Sequence, residues 1–203
     1  MIVFPCRHEG GTLIDAAVAA ARKWMPDEPI LLVDSASPDR SYARRVTQPG
    51  VHVCPAENEN YAVGAFWHAY EHHTKSDFYY LFHDSLMIRD DLTDLRDREC
   101  TAVRWWPAAR DHGWGWDRDG NELCEWGQSE WELFVRARFP ETFQGCFGPM
   151  AAGSRGVLDE LYALDFDLIK AADKWQACAQ ERLWGAALNV LGHDLADGAL
   201  QGA

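Results

Sequence analysis

The stretch Asp77-Phe-Tyr-Tyr-Leu-Phe-His-Asp-Ser-Leu-Met-Ile-Arg-Asp-Asp-Leu92 decides the fold. Phe78, Tyr80 and Phe82 would line one face of a strand and Tyr79 and Leu81 the other, so both faces are apolar. A strand covered on both sides belongs in the middle of a sheet layered with helices. The run ends abruptly in His83-Asp84-Ser85 before turning apolar again. Two readings of Asp84 stand: a polar tip on a structural turn, or a ligand group at the end of a buried strand.

The elements upstream repeat this rhythm. MIVFPC is a short apolar run; from Thr12 the spacing becomes helical, with Leu13, Ala16, Ala17, Ala20, Ala21 and Trp24 on one face. PILLVDSASPD reads as a second strand ending at Asp34, VHVCP as a third, and Asn58 to His73 as a helix with Ala62, Phe66, Ala69 and Tyr70 inward. Strand, helix, strand, strand, helix, strand is the order of an open α/β sheet, in which ligands bind beyond the carboxyl ends of the strands. Those ends carry Arg7 to Glu9, Asp34 and His83 to Ser85.

Downstream, CTAVRWWP reads as a fifth strand and FQGCFGPMAAG as a further, glycine-punctuated one. Ser154 is placed to cap the helix that follows, and a last helix begins near Asp173, with Gln176 completing a capping box, and stops at Gly192. In that helix Ala177, Glu181, Trp184, Leu188 and Leu191 share a side, so Glu181 interrupts an apolar stripe. It is either an edge residue reaching solvent or a shielded carboxylate with the raised pKa a general base needs. Between these strands lies a segment holding six of the ten tryptophans, Trp105 to Trp131, with little apolar periodicity.

The 203 residues suit one domain with a substantial core. A net charge of −13 repels nucleic-acid backbone and anionic membranes, so no nucleic-acid partner is expected. The acidity sits downstream: residues 1–45 balance six bases against six acids, which makes that third the host for any bound anion. The six cysteines form no C-x-x-C pair, and no apolar run reaches membrane-spanning length. A reduced, cytoplasmic protein without a transmembrane segment is the expectation. His68 and His72 stand at i, i+4, the spacing of a metal pair, but with no H-E-x-x-H around them they read as a solvated face. No G-x-G-x-x-G, Walker loop or G-x-S-x-G is present.

In this order, IVFPCRHEGGTLIDAAVAAAR, PILLVDSASPD, NENYAVGAFWHAYEH, DFYYLFHDSLMIRDDL and FQGCFGPMAAGSRGVLDEL resemble the successive motifs of GT-A-fold, family-2-like glycosyltransferases. The resemblance implies a Rossmann-like GT-A nucleotide-diphospho-sugar transferase fold: one open, mostly parallel sheet flanked by helices. It implies a single domain over 1–203 with a Trp-rich insertion at about 105–135 on the acceptor side. The implied partners are a nucleotide-sugar donor and a carbohydrate or other hydroxyl acceptor, and the implied cofactor is Mn²⁺ or Mg²⁺. Glu9 and Asp34 would face the nucleoside with Arg7 beside them, and Asp84, helped by His83 or water, would hold the metal and diphosphate. Glu181 would deprotonate the acceptor, and Trp114, Trp116 and Trp126 would bind it. The chain departs from the family where His83-Asp84-Ser85 replaces a pair of acids, and Gln180 to Trp184 is not the Q-x-x-R-W of processive synthases. Two other readings stay open: a GT-A-like protein that binds a sugar or nucleotide without turnover, and a nucleotidyltransferase.

Overall fold

The computed structural model describes residues 1–7, 12–57, 60–73, 76–98, 100–102, 105–109, 142–146 and 150–193. In chain order the elements are β1 (Ile2–Cys6), α1 (Leu13–Trp24), β2 (Ile30–Ser35), β3 (Val51–Ala56), α2 (Tyr61–His72), β4 (Phe78–Leu81), β5 (Cys100–Ala102) and β6 (Trp105–Ala109). Then come β7 (Thr142–Cys146), β8 (Ala151–Ser154), α3 (Arg155–Tyr162) and α4 (Lys174–Val190), with short 3-10 turns at Ser41–Arg44, Thr93–Asp97 and Phe166–Leu168. Six strands form one sheet in the order β3-β2-β1-β4-β8-β5. The first four are mutually parallel, and β8 runs antiparallel to both β4 and β5, so it alone opposes the common direction. This is a mixed α/β, Rossmann-like architecture.

β4 is only four residues long, and all four are buried. Burial of each such side chain contributes about 1.5–3 kcal/mol, against about 1–2 kcal/mol for ordering a residue's backbone, so so short a strand holds only because both faces are covered. Phe78, Tyr80 and Phe82 enter the core under α1, together with Ile2, Phe4, Ile30 and Leu32. Tyr79 and Leu81 enter the opposite core, under α2, α3 and α4.

α1 departs from its expected phase. Its buried residues are Ile14, Ala17, Val18 and Ala21, while Leu13 and Ala16 face solvent. The helix has turned by one position, about 100°, which seats branched Ile14 and Val18 on the sheet instead of small Ala16 and Ala20. α4 starts and stops where its sequence signals: Asp173 accepts the Gln176 backbone N–H at 2.9 Å, and Gly192 sits at φ +89. Gly192 N–H donates to Asn189 O at 3.0 Å and His193 N–H to Leu188 O at 2.9 Å, the paired bonds of a Schellman end. Ser154 caps α3 by accepting the Val157 N–H at 3.3 Å.

Two segments expected as single strands are each divided. CTAVRWWP supplies β5 to the main sheet and β6 to a separate two-stranded ribbon; FQGCFGPMAAG supplies β7 to the ribbon and β8 to the main sheet. β5 pairs with β8 and β6 with β7, so the same two stretches run together through both sheets. α4 is held between this ribbon and α2; on the α2 side Trp184 meets Trp67 at 5.6 Å and Phe166 at 5.6 Å between ring centroids. Trp105 and Trp106 belong to β6, whereas Trp114, Trp116, Trp126 and Trp131 lie outside the described residues. Among the described residues no helix is long and apolar enough to cross a membrane.

Candidate functional site at the carboxyl ends of the strands

The sheet reverses its order at β1. From β1 the chain crosses under α1 to β2; from β3 it returns through α2, on the opposite face, to β4 on the other side of β1. Such a reversal opens a crevice at the carboxyl ends of the two strands concerned. Phe82 extends the β4 ladder by donating its N–H to Val3 O at 3.0 Å, and Leu86 N–H then closes a turn onto His83 O at 3.0 Å. Asp84 and Ser85 occupy the middle of that turn, Asp84 half-buried and Ser85 exposed. Both readings of Asp84 therefore describe one geometry: it is a turn residue, and the turn stands at the reversal point.

β2 brings a second carboxylate to the same edge. Asp34 is paired in register with Cys6, the last residue of β1, and is 1% exposed. Its Oδ1 accepts the Ser37 N–H at 2.7 Å, and its Oδ2 lies 3.2 Å from Arg40 Nε. Ala36, at φ 54, makes the bend that turns Ser37 back toward Asp34. A left-handed non-glycine costs about 1–2 kcal/mol, offset here by a charge-assisted hydrogen bond of about 1.5–3 kcal/mol. Tyr42, on the 3-10 turn after Arg40, completes the wall: burial first, then the neighbouring Cys6 and Asp34, pushes its phenol far up.

Cys6 ends β1, the strand between those that carry the two acids. Its thiol is pushed far up, first by burial and then by the charges of Asp84 and of Asp34. Carboxylates from β2 and from the β4 turn thus act on one atom at the end of the strand between them. Arg7 follows directly and is exposed, and the Arg40 side chain is half exposed, so two guanidinium groups stand at the mouth. His83 is half-buried beside Asp84. Glu9 lies outside the described residues.

Glu181 sits on α4, half-buried, between the buried Gln180 and a run from Leu183 to Leu188 that is buried throughout. The start of α4 is tied to the carboxyl edge of the sheet by an amide network. Gln180 Nε2 donates to Asn60 Oδ1 at 2.8 Å and to Ile169 O at 3.0 Å, while Asn60 Nδ2 donates to Ile169 O and its Oδ1 accepts the Ala171 N–H, both at 2.9 Å. Asn60 stands in the connection from the end of β3 into α2, so Glu181 is carried to the same end of the sheet, on the α2 face.

As for a divalent ion, the described residues gather no three ligating side chains around Asp84. The donor set there is a single hard carboxylate. It suits Mg²⁺ or Mn²⁺ only where diphosphate oxygens and water fill the other positions, as Mg²⁺ commonly allows.

Arg40 and Tyr42 are the residues of this site that the sequence pattern did not single out; their signal was their position just beyond a strand-terminal acid. A second polar region lies outside α2, where a cavity of about 550 Å³ is lined by Glu57, His68, Glu71, Asp167 and Lys170 with Trp67. His68 belongs to this region and is half-buried against Cys54, at 3.3 Å, rather than on a solvated face; only His72 is exposed. α2 is enclosed by the sheet, α3 and α4, which leaves it little solvated surface.

No family model matches the chain, and no curated protein matches it. Among solved structures it is similar to S. aureus TarS 1–349, with 11% identity and a TM-score of 0.47, over 90% of this chain and 54% of that one. The chain spans about half the length of that structure's chain.

Proposed function

We propose that the protein is a glycosyltransferase that takes a sugar from a nucleoside-diphosphate donor bound in the crevice at the ends of β1, β2 and β4. The observation that carries this reading is the placement of Asp34 and Asp84 at the carboxyl ends of β2 and β4, on either side of β1 at the reversal point of the sheet. The motif order and the GT-A resemblance of the sequence agree with it.

In this reading Asp34, fixed by Ser37 and Arg40, faces the nucleoside with Arg7 beside it, and Glu9, outside the described residues, would share that role. Arg7 and the half-exposed Arg40 attract the anionic donor into a protein that is otherwise net acidic. Asp84 would hold Mn²⁺ or Mg²⁺, which when bound would supply positive charge to the departing diphosphate. Glu181 takes the proton of the acceptor hydroxyl as its oxygen attacks the anomeric carbon, and the bond to the nucleoside diphosphate breaks. Its half-buried position on α4 leaves the carboxylate within reach of an acceptor. Trp114, Trp116 and Trp126 would offer ring faces to the acceptor sugar.

The test is transfer from a panel of nucleotide sugars. Glu181→Gln should retain donor affinity and lose transfer by roughly 10²-fold or more. Transfer at the parental rate would remove Glu181 from the mechanism. A second reading, donor binding without turnover, draws on the single acid in the His83-Asp84-Ser85 turn. Donor binding with no transfer or hydrolysis, with and without Mn²⁺, would favour it.

A further inference from the structure

Among the described residues β3 is an edge strand of the main sheet, and its side chains alternate between the two faces. Val51 and Val53 adjoin the core under α1, while Cys54 and Ala56 adjoin the core under α2. The connection after β3 leads directly into α2, which brings the last turns of that helix over this strand. There His68 Nε2 stands 3.3 Å from Cys54 Sγ. One ligating atom from each of Cys54, His68 and His73 lies within 4.8 Å of the other two, and all three residues are half-buried.

His73 reaches this group because the helix ends at it. In a continuing helix, residues five apart are turned about 140° from each other and could not share a ligand. His73 instead leaves helical geometry, at φ −121 and ψ 59, while its N–H still donates to Ala69 O at 2.9 Å. The helix terminus is thus what folds the second imidazole back beside the first.

We propose that Cys54, His68 and His73 bind a borderline-soft divalent metal, zinc in the first place, which clips the end of α2 to the edge strand of the sheet. Zinc bonds of about 2.3 Å to sulfur and 2.0–2.1 Å to nitrogen in a tetrahedron put its ligand atoms roughly 3.3–3.6 Å apart. Cys54 and His68 already have that separation, and closing the remaining gap to His73 takes at most about 1.5 Å, within reach of side-chain rotation. The fourth position falls to water or to His72, whose ring centroid is 4.5 Å from that of His68. Thiolate and imidazole donors select zinc over magnesium, calcium or manganese, which take oxygen. The site is therefore chemically distinct from the oxygen site at Asp84.

The electrostatics agree with the geometry. Burial first, then the neighbouring His72 and His73, holds the His68 imidazole below its usual range; burial first, then His72 and His52, does the same for His73. Neutral imidazoles have the free lone pair a metal needs. Burial pushes the Cys54 thiol up, so binding releases its proton to the solvent.

The experiment is a titration of the metal-free full chain with Co²⁺, which occupies zinc sites and is coloured. The expected result is a thiolate-to-cobalt charge-transfer band with tetrahedral ligand-field bands, saturating at one equivalent and erased by one equivalent of Zn²⁺. Cys54→Ser should abolish the charge-transfer band, and His68→Gln should weaken binding at least tenfold. Asp84→Ala should leave the spectrum unchanged, which separates this site from the proposed donor site. Absence of the band in the parent chain, its persistence in Cys54→Ser, or its loss in Asp84→Ala would overturn the proposal. Melting temperature with and without Zn²⁺ gives a second readout, in which the parent rises and both the Cys54→Ser and His68→Gln variants do not.

Discussion

Asp34→Asn separates the structural role of the carboxylate at the end of β2 from the binding role proposed for it. The asparagine oxygen can still accept the Ser37 N–H now held at 2.7 Å, so the bend at Ala36 should survive. Neutralising the acceptor forfeits about half of a charge-assisted bond, near 1 kcal/mol. The contact with Arg40, whose side chain is 53% exposed, adds at most about 1 kcal/mol after solvent screening. The sum, about 1–2 kcal/mol, lowers the melting temperature of a domain this size by about 2–8 °C. Asp34→Ala goes further, because it leaves the Ser37 N–H without its buried acceptor, at about 1–3 kcal/mol more. Binding should respond more strongly than stability: a lost charge-assisted hydrogen bond to the nucleoside weakens affinity by roughly 10- to 100-fold. Urea unfolding and calorimetric titration with a panel of nucleoside diphosphates read the two effects separately. An asparagine variant that unfolds earlier but binds like the parent would reduce Asp34 to a turn-stabilising residue and refute the donor-side reasoning.

Asn60→Ala removes three buried hydrogen bonds that tie α4 and the segment leading into it to the mouth of α2, and should cost about 2–4 kcal/mol in urea unfolding; a loss below about 0.5 kcal/mol, roughly the scatter of a surface substitution, would mean the network is replaced by water. Glu28 gives the pH dependence: burial alone would raise its carboxyl, but hydrogen bonds and charges from the Met1 amino group and Arg96 hold it below the usual range. A depressed folded pKa contributes stability above the unfolded value, about 4.3, and loses it as pH falls through the folded value. Glu28→Gln should therefore destabilise by about 1–3 kcal/mol at neutral pH and progressively less below pH 4, followed by thermal unfolding; a pH-independent difference would contradict the pairing.

The sequence made β4 legible because its run is apolar on both faces, a pattern that only a central, doubly covered strand satisfies. α4 was legible from its ends, Asp173 and Gly192, whose cap chemistry acts within one turn. The phase of α1 was not, since a run so rich in alanine leaves the buried stripe to be chosen by how Ile14 and Val18 fit the sheet. The division of β5 from β6 and of β7 from β8 depends on which distant segment each pairs with, and local pattern does not carry that. At the site, strand ends pointed to Asp34 and Asp84, but the roles of Arg40 and Tyr42 follow from a 3-10 turn that the pattern did not mark. The i, i+4 pair His68 and His72 reads as a solvated face, and the spacing alone does not bring Cys54 and His73 to it. The signal for that group was in the crossover: His52 and Cys54 alternate onto the face that the next helix must cover, and that helix ends in histidines.

The central claim is that the turn at Asp84 holds the diphosphate of a donor through a divalent ion. Calorimetric titration of nucleoside diphosphates into the parent chain and into Asp84→Ala, each with and without Mn²⁺, tests it most directly. The parent should bind one nucleoside diphosphate with an affinity that Mn²⁺ strengthens, and Asp84→Ala should keep its fold and lose the Mn²⁺ effect. Equal Mn²⁺-dependent binding by both chains, or no nucleoside diphosphate binding by the parent, would contradict it.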